Sequence, residues 1–235
     1  MRQIIPNLYT FTRLLVGRVY LIEDRDGLTI IDAGMGLAAG RIVKQLEWRR
    51  HKPDAVKRII VTHAHPDHIG GLPKLKELTG AQVICSAVER PFVQGEQAAP
   101  IADRSSLPPL AKLMAAAPAR PPKGTPVDRV LADGEIMPEV FGGLQAVYTP
   151  GHSPGHLSLW QPEKRVLITG DVVMNVPNSL RLPFAAFTTS MDENKRSLRR
   201  IALLDAEVIC FGHGVPLLEG AAAQLRTFAR RVGAV

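Results

Sequence analysis

The apolar positions of this chain fall into short runs, and the spacing within and between the runs predicts strands alternating with helices. Val19-Tyr20-Leu21-Ile22 and Leu28-Thr29-Ile30-Ile31 flank Asp26-Gly27, which predicts a β-hairpin. Residues 37–48 carry helical spacing at Leu37, Ile42 and Leu46. Residues 56–61 read as a strand, 72–78 as a helix begun after Gly70-Gly71, and 83–85 as a further strand. The second half repeats the style, with strands at 144–148, 157–160, 166–169 and 207–211. A helix over 194–204 puts Leu198, Ile201 and Leu204 on one face, and another closes the chain at 221–232. This succession predicts an α/β protein whose sheet is covered by helices.

Residues 88–128 stand apart. They hold eight of the 19 prolines and an alanine-rich stretch, which marks an insertion in a single domain spanning 1–235. Two readings are open for it: a substrate lid, with Leu107, Leu110, Leu113 and Met114 as an apolar face, or a surface that forms a homodimer.

Composition changes this picture little. Apolar residues make up 46% and charged residues 22%, an ordinary globular balance. The start of the chain shows no secretory signal, and no apolar run approaches the ~20 residues that span a bilayer. The expectation is a cytoplasmic protein without a membrane partner. Cys85 and Cys210 each sit in an apolar strand and read as buried hydrophobes. The net charge of +7 comes mostly from basic runs on or beside helices, among them Lys57-Arg58 and Arg199-Arg200. These read as solvated faces. No aromatic residues alternate with them, so nucleic acid is not the expected partner.

Candidate chemistry is concentrated at strand ends. The strand Ile59-Ile60-Val61 runs into Thr62-His63-Ala64-His65-Pro66-Asp67-His68. Alternation in extended chain sends His63 and His65 to one side, where they can converge on one ion, while a turn can aim Asp67 and His68 at a second. His152 lies in Pro150-Gly151-His152, Asp171 in Gly170-Asp171 and His213 in Gly212-His213, each at the end of an apolar strand. Five of the seven histidines fall at these places; His156 reads as a supporting residue and His51 as a surface one. Imidazole and carboxylate suit zinc, and also manganese, iron and cobalt.

In order and spacing, His63-Ala64-His65-Pro66-Asp67-His68, Gly151-His152, Gly170-Asp171 and Gly212-His213 resemble the metallo-β-lactamase superfamily, as does Asp32-Ala33-Gly34. The resemblance covers nearly the whole chain and implies a four-layered αββα sandwich with its site at one edge of the paired sheets. It implies that His63, His65 and His152 hold one ion, Asp67, His68 and His213 a second, and that Asp171 bridges them. It also implies that Asp32 orients the histidine loop, against the alternative of a turn residue before Gly34. Two divalent ions, zinc first among them, would share a hydroxide for hydrolysis, with Asp67 handling the proton.

The resemblance does not fix the substrate. His65 stands where flavodiiron proteins have Glu, and only 22 residues follow His213, which leaves little room for the helical domain of glyoxalase II-like thioesterases. Residues 172–191 contain no tyrosine, whereas lactonases commonly supply one there, and Phe184 and Phe187 are open to either core or pocket-wall roles. The expected reaction is hydrolysis of a small-molecule carboxylic ester or lactone. Phosphodiester or RNA processing, thioester hydrolysis, an iron sulfur dioxygenase and a non-enzymatic metal module are the alternatives.

Overall fold

Strands buried on both faces explain why so many runs are apolar without alternation. In the computed structural model, which describes residues 1–100, 102, 105, 107, 109, 112 and 123–235, Tyr20 and Ile22 of one strand face one core while Leu21 between them faces another. Ile59 and Ile60 divide in the same way, as do Val83 and Ile84.

Seven strands form the first sheet in chain order: β1 (Arg2–Ile5), β2 (Leu8–Thr10), β3 (Tyr20–Asp24), β4 (Gly27–Ile31), β5 (Val56–Ile60), β6 (Gln82–Ser86) and β7 (Arg129–Leu131). The first four are antiparallel neighbours, whereas β4 to β7 run parallel. The β3–β4 hairpin pairs Asp24 with Gly27, so its turn is Arg25-Asp26, one residue earlier than the Asp-Gly signal suggests. The second sheet contains β8 (Ile136–Met137), β9 (Leu144–Tyr148), β10 (Leu157–Gln161), β11 (Val166–Ile168) and β14 (Val208–Cys210), in the order β14-β11-β10-β9-β8. A small separate hairpin joins β12 (Met174–Asn175) to β13 (Leu180–Arg181).

Three apolar cores separate four layers. Ile31, Ile60 and Ile84 of the first sheet meet Leu157, Leu159 and Ile168 of the second between the sheets. The helices Ala38–Trp48 and Leu72–Thr79 cover the outer face of the first sheet through Ile42, Leu46, Leu72 and Leu75. The helices Met191–Ala202 and Ala221–Arg231 cover the second sheet through Leu198, Ile201, Leu225 and Phe228. This is the expected αββα sandwich.

Two expectations change. Arg58 does not belong to a solvated run: it is buried on β5, with its guanidinium beside Asp24, Asp26 and Glu139. Residues 88–128 are not set apart over their whole length. Glu89, Phe92, Val93 and Thr125 are buried, and Thr125 N–H donates to the Val93 carbonyl at 3.0 Å. Leu107 is buried with Ala102 and Ala186, while Leu110, Leu113 and Met114 lie outside the described residues. Both cysteines are buried and unpaired. Among the described residues no helix is long and apolar enough to cross a membrane.

Candidate metal centre

Parallel strands deliver their following residues to one edge, and the site is built there from both sheets. In the first sheet, Asp32 follows β4, Thr62 and His63 follow β5, and Glu89 lies three residues past β6. In the second, Thr149 follows β9, and Asp171 and His213 come three residues after β11 and β14. Close packing dictates the glycines. A Cβ on Gly212 would lie 1.9 Å from Asp171 Oδ1, and one on Gly170, at φ +53°, would lie 2.5 Å from His156 Nε2.

Among the described residues, three sets of side chains have ligand atoms within 4.8 Å of one another: His63, His65 and His152; His63, His68 and Asp171; and Asp67, His68 and His213. All seven residues singled out from the sequence are therefore brought together. His63 Nε2 lies 3.1 Å from His65 Nδ1, and His213 Nε2 lies 3.1 Å from both Asp67 Oδ2 and Asp171 Oδ2. Asp171 sits between the groups, with Oδ1 3.5 Å from His68 Nε2 and Oδ2 3.5 Å from His152 Nε2.

Hydrogen bonds outside the cluster settle which ring nitrogens face inward. Asp32 Oδ1 accepts the Thr62 N–H at 2.8 Å, and the Thr62 hydroxyl donates to the same carboxylate. With its one proton spent, Thr62 Oγ1 accepts from His63 Nδ1–H at 3.1 Å. His68 Nδ1–H donates to Asp32 Oδ2 at 2.8 Å. The Thr188 hydroxyl donates to the Phe184 carbonyl and accepts from His152 Nδ1–H at 3.2 Å. Each bond turns Nε2 inward, where a neutral ring offers the lone pair that a ligating histidine needs. Asp32 is therefore an orienting residue, held at φ +63°.

His156 points the other way. Its Nε2 accepts the Asp171 N–H at 2.9 Å, so its Nδ1–H donates to Thr149 Oγ1 at 2.8 Å. Both nitrogens are used, and burial pushes its pKa down to about 3. It supports the Asp171 loop and is not available as a ligand. His51 is half-buried, with Nε2 3.1 Å from Glu23.

Sequence reasoning missed Glu89. It is fully buried, and its carboxylate accepts the Ala64 N–H at 2.8 Å, the Ser153 hydroxyl at 2.6 Å and the Gly155 N–H at 2.8 Å. It thus ties the His63/His65 loop to the His152 loop. Burial raises its pKa, and the three hydrogen bonds offset part of that rise. The available signal was positional: like Asp32, it is a carboxylate just past a parallel strand of the first sheet.

The donor set fits divalent cations. His68 Nε2, His152 Nε2 and Asp171 Oδ1 are buried and have no hydrogen-bond partner among the described residues, although they face one another. Buried polar atoms are seldom left so. Burial and the neighbouring rings hold His63 and His152 well below the usual histidine range. Burial also opposes charge on His68 and His213, but Asp171 and Asp67 prevail, which raises both, His213 to about 9. Burial would raise Asp67, yet His68 and His213 outweigh it and hold it at about 2.

A family model described as the metallo-beta-lactamase superfamily matches residues 12–213. The chain belongs to this superfamily. Within it, a probable metallo-hydrolase, YflN of Bacillus subtilis, is 31% identical over 86% of this chain and 82% of its own. A hydroxyacylglutathione hydrolase of Cereibacter sphaeroides is 28% identical over 82% of this chain and 63% of its own. An N-acyl homoserine lactonase of Bacillus cereus is 26% identical over 86% and 82%. Among solved structures, the superfamily protein TTHA1429 of Thermus thermophilus aligns with a TM-score of 0.71 at 26% identity, covering 99% of this chain and 81% of that one. Membership makes the chain a metallo-hydrolase relative in which divalent metal binding is expected of the His/Asp cluster.

Proposed function

We propose that the chain hydrolyses a small-molecule carboxylic ester or lactone with two divalent ions, zinc first among them. His63, His65 and His152 would hold one ion, Asp67, His68 and His213 the other, and Asp171 would lie between them. The observation that carries this reading is the set of convergent, hydrogen-bond-deprived ligand atoms on both sides of Asp171. Two such ions supply Lewis acidity to a carbonyl oxygen and lower the pKa of a water from ~15.7 towards ~7.

The chain's own groups do the rest. Asp32, Thr62 and Thr188 fix the ring orientations, so the ligand atoms need no rearrangement. Asp67 is ionised at neutral pH and a quarter exposed, and its Oδ2 lies 3.1 Å from His213 Nε2. In this reading it would take a proton from the attacking water and return it to the leaving oxygen. The lactonase relative supports an oxygen ester, whereas the hydroxyacylglutathione hydrolase relative favours a thioester as the second reading. Nucleic acid is the weaker alternative, since several basic residues are already paired, Arg200 with Asp133 and Arg165 with Asp205 and Glu207.

The test is a panel of lactones, esters, thioesters, phosphodiesters and β-lactams, run on protein of measured metal content. The expected result is two ions per chain and the highest kcat/KM on an ester or lactone. A thioester preferred by about tenfold, ~1.4 kcal/mol in the transition state, would replace that substrate class. One iron per chain would replace the dinuclear hydrolase altogether.

A further inference from the structure

The small β12–β13 hairpin has no place in either sheet, and it stands beside the metal centre. Asn175 N–H donates to the His213 carbonyl at 3.0 Å, and Asn175 Nδ2 donates to the Val215 carbonyl at 2.8 Å. The approach is close: a Cβ on Gly214 would lie 1.9 Å from the Asn175 carbonyl oxygen. On its other side, Arg231 from the last helix donates to the Leu180 carbonyl at 3.0 Å, with its guanidinium 5.2 Å from the Phe228 ring centre. The hairpin is therefore pinned through both of its strands, at the facing pair Asn175 and Leu180.

Between hairpin and helix runs an open groove of about 690 Å³ that reaches His213. Its walls include Met174, Val176, Leu182, Phe184, Phe228 and Val232. Phe184 is 60% exposed and Val176 38%, so the groove presents apolar surface to water beside a polar centre. Phe184 also connects to the ligands, because its carbonyl accepts the Thr188 hydroxyl that orients His152.

We propose that this groove seats the aliphatic acyl chain of the substrate, which makes the preferred ester or lactone one of medium acyl length. The inference rests on the hydrolytic reading above and adds where the non-reacting part of the substrate lies. Continuity with His213 selects this occupant: His213 shares the lining of the groove with Val176 and Leu182, so a chain lying there would adjoin a ligand candidate. The volume falls within the ~300–1,000 Å³ typical of small-molecule sites. Among the described residues, the wall comes from 174–184, His213 and the end of the chain at 228–232.

The test uses p-nitrophenyl esters from acetate to decanoate, together with calorimetry of butyrate and decanoate binding to the metal-loaded protein. In the wild type, kcat/KM should rise about fourfold for each methylene that the groove buries. In the double variant Val176→Gln, Leu182→Gln the gain should fall below about twofold per methylene, with metal content unchanged. Decanoate should bind at least about tenfold tighter than butyrate in the wild type only. A chain-length profile that is flat, or identical in the double variant, overturns the proposal while leaving the hydrolase reading intact. If no ester or lactone is turned over, the hydrolase reading fails and the calorimetry still scores the groove. If the variant instead turns a dimer into a monomer at an unchanged decanoate/acetate ratio, the groove is a subunit interface and the proposal falls.

Discussion

The two halves of the candidate metal centre are built differently. His63 and His152 are held by threonine hydroxyls, buried, and depressed in pKa, so they are neutral imidazoles before any ion arrives. His68 and His213 are surrounded by Asp32, Asp67 and Asp171 and are raised in pKa. The first half is preformed and uncharged. The second is charged and more open, since His213 and Asp67 keep about a fifth and a quarter of their side-chain surface in water. Rigid neutral donors suit retention of an ion. Accessible carboxylate beside imidazole suits handling protons and substrate.

The largest expected effect lies in the open half. Asp67→Asn keeps the size of the side chain and removes its charge. The expected loss in kcat is ~10²-fold or more on the best ester, with the first ion retained. Steady-state kinetics on protein of known metal content measures it. Near-normal turnover would take Asp67 out of the proton path and leave the two halves chemically equivalent.

Asp32→Asn should act through the ion. Asp32 accepts from His68 Nδ1–H and from Thr62, so it serves the second half directly and the first only through Thr62. The expected outcome is a ~10–100-fold weaker second ion, with a smaller change in the first. Competitive titration with a metallochromic chelator resolves the two. Equal weakening of both ions would mean that the halves are coupled through Thr62 and are not separately supported.

Much of this was legible in the sequence, and for a physical reason. Strands buried on both faces are rich in apolar residues, so 28–31, 56–61, 144–148 and 157–160 announce themselves, and four of the seven ligand candidates fall within 63–68. The hairpin β12–β13 was not legible. Its strands are two residues each, and the contacts that make them strands come from His213, Val215 and Arg231, far along the chain. β1 escaped because Arg2 and Gln3 are exposed, which hides the alternation, and β2 because it is only three residues long. The absence of tyrosine in 172–191 tells against acyl-homoserine-lactone specificity alone, while the same stretch supplies apolar wall to the groove beside His213.

Glu89 and Thr188 have the same explanation as the hairpin: a carboxylate or hydroxyl has meaning only through the donors that folding brings to it. Glu89→Gln tests that point and should perturb turnover least. Its two oxygens accept from Ala64 N–H on one side and from Ser153 and Gly155 on the other. A glutamine retains one acceptor and turns an NH₂ towards donors, so at least one buried donor loses its partner. That costs about 1–3 kcal/mol of folding stability, read from urea denaturation of metal-loaded protein. Because Glu89 ties together the loops of the first half, the first ion should weaken more than the second, the reverse of Asp32→Asn. Turnover per loaded molecule should stay within a few-fold, since Glu89 touches no ligand atom. A loss of turnover without a loss of stability would place Glu89 in the chemistry. Unchanged stability and unchanged affinity for the first ion would show that the first half is rigid without its clamp, and that its neutrality alone distinguishes it from the second.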